Sequence, residues 1–271
     1  MYKLLALDID GTMLNDRHEL TDEVRGAIIA ARRQGVKIVL CSGRAVGGVT
    51  RFSQELEIEG PDEYIVALNG TLIQNASTGE VIEKRALTVE DLKQLYALSR
   101  ELETNIIFYD EADIYALNKC IHKYVIQEVF LSGVNLYYRE IGEITDDYII
   151  SKVMFVDDPG HLEKVIAALP PELENKYALV RSAPYFFEFL HPQASKGNAL
   201  KIIAEKLGIK REEVMAIGDS GNDLSMIQYA GLGVAMENAM DILKKHADYI
   251  TLSNNQAGVA HAIRKFVLEK A

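Results

Sequence analysis

Two aspartates separated by a single residue, Asp8 and Asp10, stand at the end of a short apolar run, Lys3–Leu7. The run reads as a buried strand, and in an open parallel sheet ligands bind just beyond the carboxyl ends of the strands. Gly11 lets the backbone turn sharply after the pair, and Thr12 adds a hydroxyl. Three further places are built alike: Ser42-Gly43-Arg44 after a second apolar run, Lys196-Gly197-Asn198 at the start of a helix, and Gly218-Asp219-Ser220-Gly221-Asn222-Asp223 after a later run.

Gathered into one crevice, Asp8, Asp10, Asp219 and Asp223 would repel one another and any anionic substrate unless a cation is present. A hard divalent cation resolves this, and magnesium keeps waters and a phosphate oxygen beside a few carboxylates. Lys196 adds a point positive charge. Ser42, Thr12 and the backbone N–H groups of the glycine-rich turns offer hydrogen bonds to phosphate oxygens. Such a set suits phosphoryl transfer, where catalysis is mostly positioning and charge neutralisation. One carboxylate can attack while the second protonates the leaving alkoxide and then takes a proton from water, a division of labour that Asp8 and Asp10 supply.

Each motif alone has a plainer explanation. An Asp-rich turn is often only a helix cap, and a lone lysine a solvated charge, so the four segments count jointly. A calcium loop is the rival for Asp8–Glu19, with Asp8, Asp10, Thr12 and Glu19 at its positions 1, 3, 5 and 12. It fails at position 6, where Met13 replaces the required glycine.

The elements that must hold these residues alternate at both ends of the chain. A helix capped by Thr21, with Val24, Ala27, Ile28 and Ala31 on one face, stops at Gly35 before the strand Val36–Cys41. Toward the C-terminus follow a helix Asn198–Lys206, a strand Val214–Ile217, a helix Asn222–Tyr229, a strand Gly233–Met236 and a helix Val259–Val267. This alternation predicts an α/β fold, a parallel sheet with helices on both faces. From about Glu83 to Leu190 the pattern changes. A helix capped by Thr88 with Asp91 precedes Ile106–Tyr109, Asn135–Arg139 and Lys152–Val156, whose aromatic and β-branched residues predict an antiparallel, half-exposed sheet. Nine of the thirteen tyrosines fall here, as suits strands or, alternatively, a substrate-facing surface. The span 83–190 therefore reads as an insertion into one domain made of 1–82 and 191–271.

Composition narrows the classes. A formal net charge of −11 and a pI near 5.1, with no basic cluster, argue against a nucleic-acid partner. The apolar stretch Met1–Leu7 is too short for a signal peptide or a membrane span, so a cytoplasmic protein without a membrane partner is expected. Cys41 and Cys120 make no metal-type spacing and suggest a reducing compartment without a bridge. The sequence leaves the oligomeric state open.

In order and role, the four segments resemble the signature motifs of the haloacid dehalogenase superfamily, and the whole chain is similar to its Cof-type subfamily. The resemblance implies a Rossmann-like core with an inserted α+β cap of the C2 type. It implies a magnesium-dependent phosphatase acting on small phosphate esters such as sugar phosphates through a phospho-aspartate. Asp8 resembles the nucleophile and Asp10 the general acid/base, which also lends its backbone carbonyl to the metal. Ser42 and Lys196 resemble the phosphate-holding pair, within a substrate side that also takes Thr12, Gly43 and Arg44. Asp219 and Asp223 resemble the metal-side carboxylates, the latter through water or directly. Asn222 resembles a residue that contacts the phosphate or orients Lys196, and Asn69 and Asn198 resemble further site residues. Ala45 departs from the proline that relatives often carry there, which implies a looser turn. A phosphomutase using the same Asp8 chemistry and a non-catalytic sensor of phosphorylated metabolites are the alternatives.

The resemblance puts Tyr185–Leu190 at the boundary between cap and core. A charge within so aromatic a run is costly if buried unpaired, so Glu188 is expected to point to solvent or to a polar crevice, binding a sugar hydroxyl or orienting Lys196.

Overall fold

Leu4–Leu7, four residues with no accessible surface, form the central strand of an eight-stranded sheet. The computed structural model describes residues 1–269. Its strands are β1 (Leu4–Leu7), β2 (Lys37–Cys41), β3 (Tyr64–Ala67), β4 (Leu72–Asn75), β5 (Val81–Lys84), β6 (Asn105–Tyr109), β7 (Ile114–Ala116), β8 (Leu136–Tyr138), β9 (Lys152–Val156), β10 (Ala178–Ala183), β11 (Phe186–Leu190), β12 (Val214–Gly218), β13 (Leu232–Ala235) and β14 (Tyr249–Ile250). The chain divides into two compact units: Met1–Gly43, Val49–Glu83 and the chain from Ser195 onward make the first, and Arg44–Gly48 with Lys84–Ala194 make the second.

The eight-stranded sheet has the order β14-β13-β12-β1-β2-β3-β4-β5. Pairing is parallel from β14 to β3. The expected all-parallel sheet is corrected at β4, which runs antiparallel to β3. Only the short turn Leu68–Gly70 joins those two strands, too little chain for a parallel crossover. Thr21 Oγ1 accepts from Val24 N–H to cap the helix Asp22–Arg33, which buries Val24, Ala27, Ile28 and Ala31. Ser195 Oγ accepts from Asn198 N–H at the head of the helix Lys196–Lys206. Cys41 is buried and Cys120 exposed, and both are free thiols; burial pushes the Cys41 thiol up to about 12. No helix among the described residues is long and apolar enough to cross a membrane.

The second unit carries a six-stranded sheet in the order β10-β11-β9-β6-β7-β8. Its pairs are antiparallel except β7 with β8, which are parallel. The helix Val89–Glu101, opened by a Thr88–Asp91 capping box, and the helix Pro159–Ala167 supply Leu92, Leu95, Leu162 and Val165. These pack on Phe108, Val153, Phe155, Phe187 and Phe189.

Half-exposed strands were expected here, yet β9 and β11 are buried along their whole length. Their second face explains the correction for Glu188. Glu188 does not point to solvent: it is 2% exposed, accepts from Ser182 Oγ at 2.5 Å and lies 3.5 Å from Lys152 Nζ. Lys152, itself 1% exposed, also sits over the Tyr109 ring, 4.2 Å from its centroid. The charge is tolerated because it is paired. Removing one member of such a pair costs about 3–5 kcal/mol, whereas replacing both is often near neutral. Glu188→Gln should therefore lower the urea midpoint markedly, and combining it with Lys152→Met should restore most of the loss. A single-variant change below about 0.5 kcal/mol, the scale of a solvated pair, would show that the burial does not operate in solution.

Candidate active site

The site grows from the ends of three neighbouring strands. β1 and β12 are neighbours, yet the chain leaves β1 toward β2 and β12 toward β13, in opposite directions along the sheet, and Asp8 follows directly at the carboxyl end of β1. Ser42 follows β2, and Asp219 follows β12. Such a switch point opens a crevice because the connections diverge.

Glycines set how closely the segments approach. Gly11 has φ +75°, and a Cβ there would fall 2.6 Å from Asp219 Oδ2. A Cβ on Gly218 would fall 2.6 Å from the Asp223 side chain, and one on Gly197 would fall 2.3 Å from Ser225 O. The helix bearing Lys196 can thus lie against the turn that carries Asp223.

Lys196 is fully buried, and its Nζ donates to Asp8 Oδ1 and to Asp223 Oδ1, each at 2.6 Å. Asp223 Oδ2 accepts from the N–H groups of Asp219 and Ser220, both at 3.0 Å, so both of its oxygens are engaged. Asp219 accepts from Thr12 Oγ1 at 2.7 Å and from Ser220 Oγ at 2.9 Å. Asn222 Nδ2 donates to Asn69 Oδ1 at 2.9 Å. Ser42 is buried, with its N–H on Val66 O and its carbonyl accepting from Asn69 N–H. The Asn69 side chain passes where Gly43 lacks a Cβ, and the Asn198 N–H is taken by the Ser195 cap. Asp10 is partly exposed, with its carboxylate 3.4 Å from His18 Nδ1.

The first unit therefore brings together Asp8, Thr12, Lys196, Asp219 and Asp223, with Ser42, Gly43, Asn69 and Asn222 joined to one another beside Asp223's turn. Asp10 sits one residue from Asp8's neighbour but outside the carboxylate cluster. Arg44 and Glu188 belong to the second unit. Sequence reasoning overlooked Ser220 and His18 as ligands of the two acids, and Asn238, whose Nδ2 donates to Gly11 O at 2.8 Å. Ser220 was legible as a hydroxyl inside a motif already chosen. Asn238 had no spacing signal, because the sheet alone brings it to Gly11.

Asp8, Asp219 and Asp223 each offer an oxygen within 4.8 Å of the others. Three carboxylates against one ammonium leave two negative charges uncompensated. The titration behaviour registers this. Burial, reinforced by Asp223, raises Asp8 well above the usual carboxylate range and pushes Asp219 up to about 6. Burial alone would lower Lys196, but Asp223 and Asp8 overcome it and hold the ammonium above its ordinary value. An all-oxygen, anionic and partly unneutralised donor set fits a hard divalent cation.

A family model described as haloacid dehalogenase-like hydrolase matches residues 5–263. A Bacillus subtilis (strain 168) protein with the provisional name phosphatase YxeH is 50% identical over 270 residues, which cover 100% of both chains. Among solved structures, a haloacid dehalogenase-like hydrolase from Bacteroides thetaiotaomicron superposes with a TM-score of 0.84 at 38% identity, over 98% of this chain and 99% of its own. The subclass IIB sugar phosphatase BT4131 superposes with a TM-score of 0.81 at 25% identity, over 97% and 98%.

Asp219 provides a test of the cation site. With its carboxyl near 6 in the folded chain and 3.8 ordinarily, the cation-free fold holds a proton that the unfolded chain releases between those values. Stability from this group is then present at low pH and falls as pH rises through that window, while a cation must displace the proton below about 6. Added MgCl2 should raise the melting temperature by several degrees at pH 7.5 and far less at pH 5, and Asp219→Asn should flatten the difference. Equal shifts at both pH values would remove Asp219 from the cation site.

Proposed function

This chain belongs to the haloacid dehalogenase-like hydrolases and is a phosphoric monoester hydrolase; we propose that it hydrolyses a small sugar phosphate through a phosphorylated Asp8, with Mg2+ as cofactor. The observation that carries this reading is the grouping of Asp8, Asp219 and Asp223 around Lys196 with two charges left over.

In this reading Asp8 and Asp219 hold the cation, together with the Asp10 backbone carbonyl, and Asp223 serves chiefly to fix Lys196. When bound, Mg2+ would offset the carboxylate charge and screen the phosphate from it. Lys196 and the hydroxyl of Ser42 bind phosphate oxygens. Asp8 attacks phosphorus through an oxygen, and the bond from phosphorus to the ester oxygen breaks. Asp10 gives its proton to the departing alkoxide. It then takes one from water, whose oxygen attacks phosphorus; the bond from phosphorus to the Asp8 oxygen breaks, which releases inorganic phosphate and restores the carboxylate. Partial exposure of Asp10 beside His18 suits a group that exchanges protons with solvent. The second unit stands as the inserted cap, and the sugar phosphatase among the structural relatives supports the substrate class.

Asp8→Asn should abolish turnover of a sugar phosphate, and Asp10→Asn should lower kcat by about 10²–10⁴-fold, the usual worth of a general acid/base. Excess chelator should stop hydrolysis and Mg2+ restore it. With a substrate carrying a radioactive phosphate, rapid quenching should trap label on the unsubstituted protein and none on Asp8→Asn. Release of the alcohol with no phosphate trapped on the protein at any time would exclude the covalent route.

A further inference from the structure

The turn between β3 and β4 strings three positive-φ residues together. Leu68, Asn69 and Gly70 all have positive φ, at 51°, 57° and 93°, and all three are buried. Glycine adopts this conformation freely and asparagine tolerates it, but a leucine does so only where its surroundings impose it. The surroundings here are catalytic segments of the first unit. Asn69 N–H donates to Ser42 O at 2.9 Å, and a Cβ on Gly70 would fall 2.3 Å from the carbonyl oxygen of Ser195, the residue before Lys196. The Asn69 amide lies against Gly43, where a Cβ would come within 3.1 Å of Asn69 Oδ1, and that oxygen accepts from Asn222 Nδ2. One strained turn thus touches the segments that carry Ser42, Lys196 and Asn222. Backbone strain of this kind persists where the surrounding structure over-determines it, and it clusters at functional sites.

We infer that Asn69 is a positioning residue for phosphoryl transfer, acting through Asn222. An amide nitrogen carries two hydrogens. Asn69 engages one on Asn222, which leaves the other for a phosphate oxygen and fixes the plane in which it is offered. The Asn222 Oδ1 atom is buried with no hydrogen-bond partner among the described residues, so nothing on its other side holds the amide plane. The adjacent residue, Asp223, is already pinned by Lys196 and two backbone N–H groups. Asn69 therefore sets the one side-chain rotation that the backbone of this turn leaves open.

The inference rests on the phosphatase reading, and a double-mutant cycle separates the two. Asn69→Gly keeps the left-handed backbone and deletes only the amide, so it should melt within a few degrees of the unsubstituted chain. With p-nitrophenyl phosphate and Mg2+, N69G should lose about three- to tenfold in kcat/KM, the worth of one hydrogen bond. N222A should lose at least as much, and N69G/N222A no more than N222A alone. The same loss from N69G in both backgrounds, or no loss at all, would overturn the inference. So would failure of N69G to fold, which would assign Asn69 to the fold instead. Absence of turnover by the unsubstituted chain would overturn the phosphatase reading itself.

Discussion

A single ammonium, Lys196, faces three carboxylates in a place where water cannot dilute their repulsion, and much of the first unit is arranged to make that tolerable. Lys196 is buried and spans Asp8 and Asp223. Asp223 is tied down by backbone N–H groups, and Asp219 by two hydroxyls. Every hydrogen bond in this set goes to a carboxylate oxygen, which lowers the cost of ionisation without cancelling charge. The remaining imbalance is what suits the site to a metal cation.

The sheet makes this arrangement possible by bringing distant segments to one end. Asp8 and Asp219 stand 211 positions apart by their numbers, yet β1 and β12 are neighbours in register from Leu4 with Val214 to Leu7 with Ile217. The acids that follow those strands meet without any need for a long loop. Glycine then decides how near they come: with a side chain at position 11 or 218, the Asp219 and Asp223 carboxylates would have to move. The backbone is as much a part of the constellation as the acids are.

Much of this was readable from residue types because the four segments fall directly after strands or at a helix start, where local signals such as Gly11 and Gly43 mark a boundary. What could not be read was register. Glu188 looked like an unpaired charge because its partner Lys152 lies 36 positions away on β9; only the pairing of Glu188 with Met154 makes Lys152 its diagonal neighbour on the same face. The strand β4 was not read from the sequence at all, and nothing in Leu72–Asn75 itself states that it joins the sheet antiparallel. The role of Asn69 could be suspected from resemblance, but its reach to Asn222 needs the turn after β3 and the turn after β12 at the same end of the sheet.

The two thiols differ in a way that matters for handling the molecule. Cys41, one residue before Ser42, is sealed in the sheet and keeps its proton far above neutral pH, so it offers neither a nucleophile nor a route for oxidants into the catalytic strands. Cys120 is exposed in the second unit. An alkylating fluorophore added to the folded, unsubstituted protein would attach at one address only. The chain thus comes with a built-in optical handle on its inserted unit, with no cysteine to remove first.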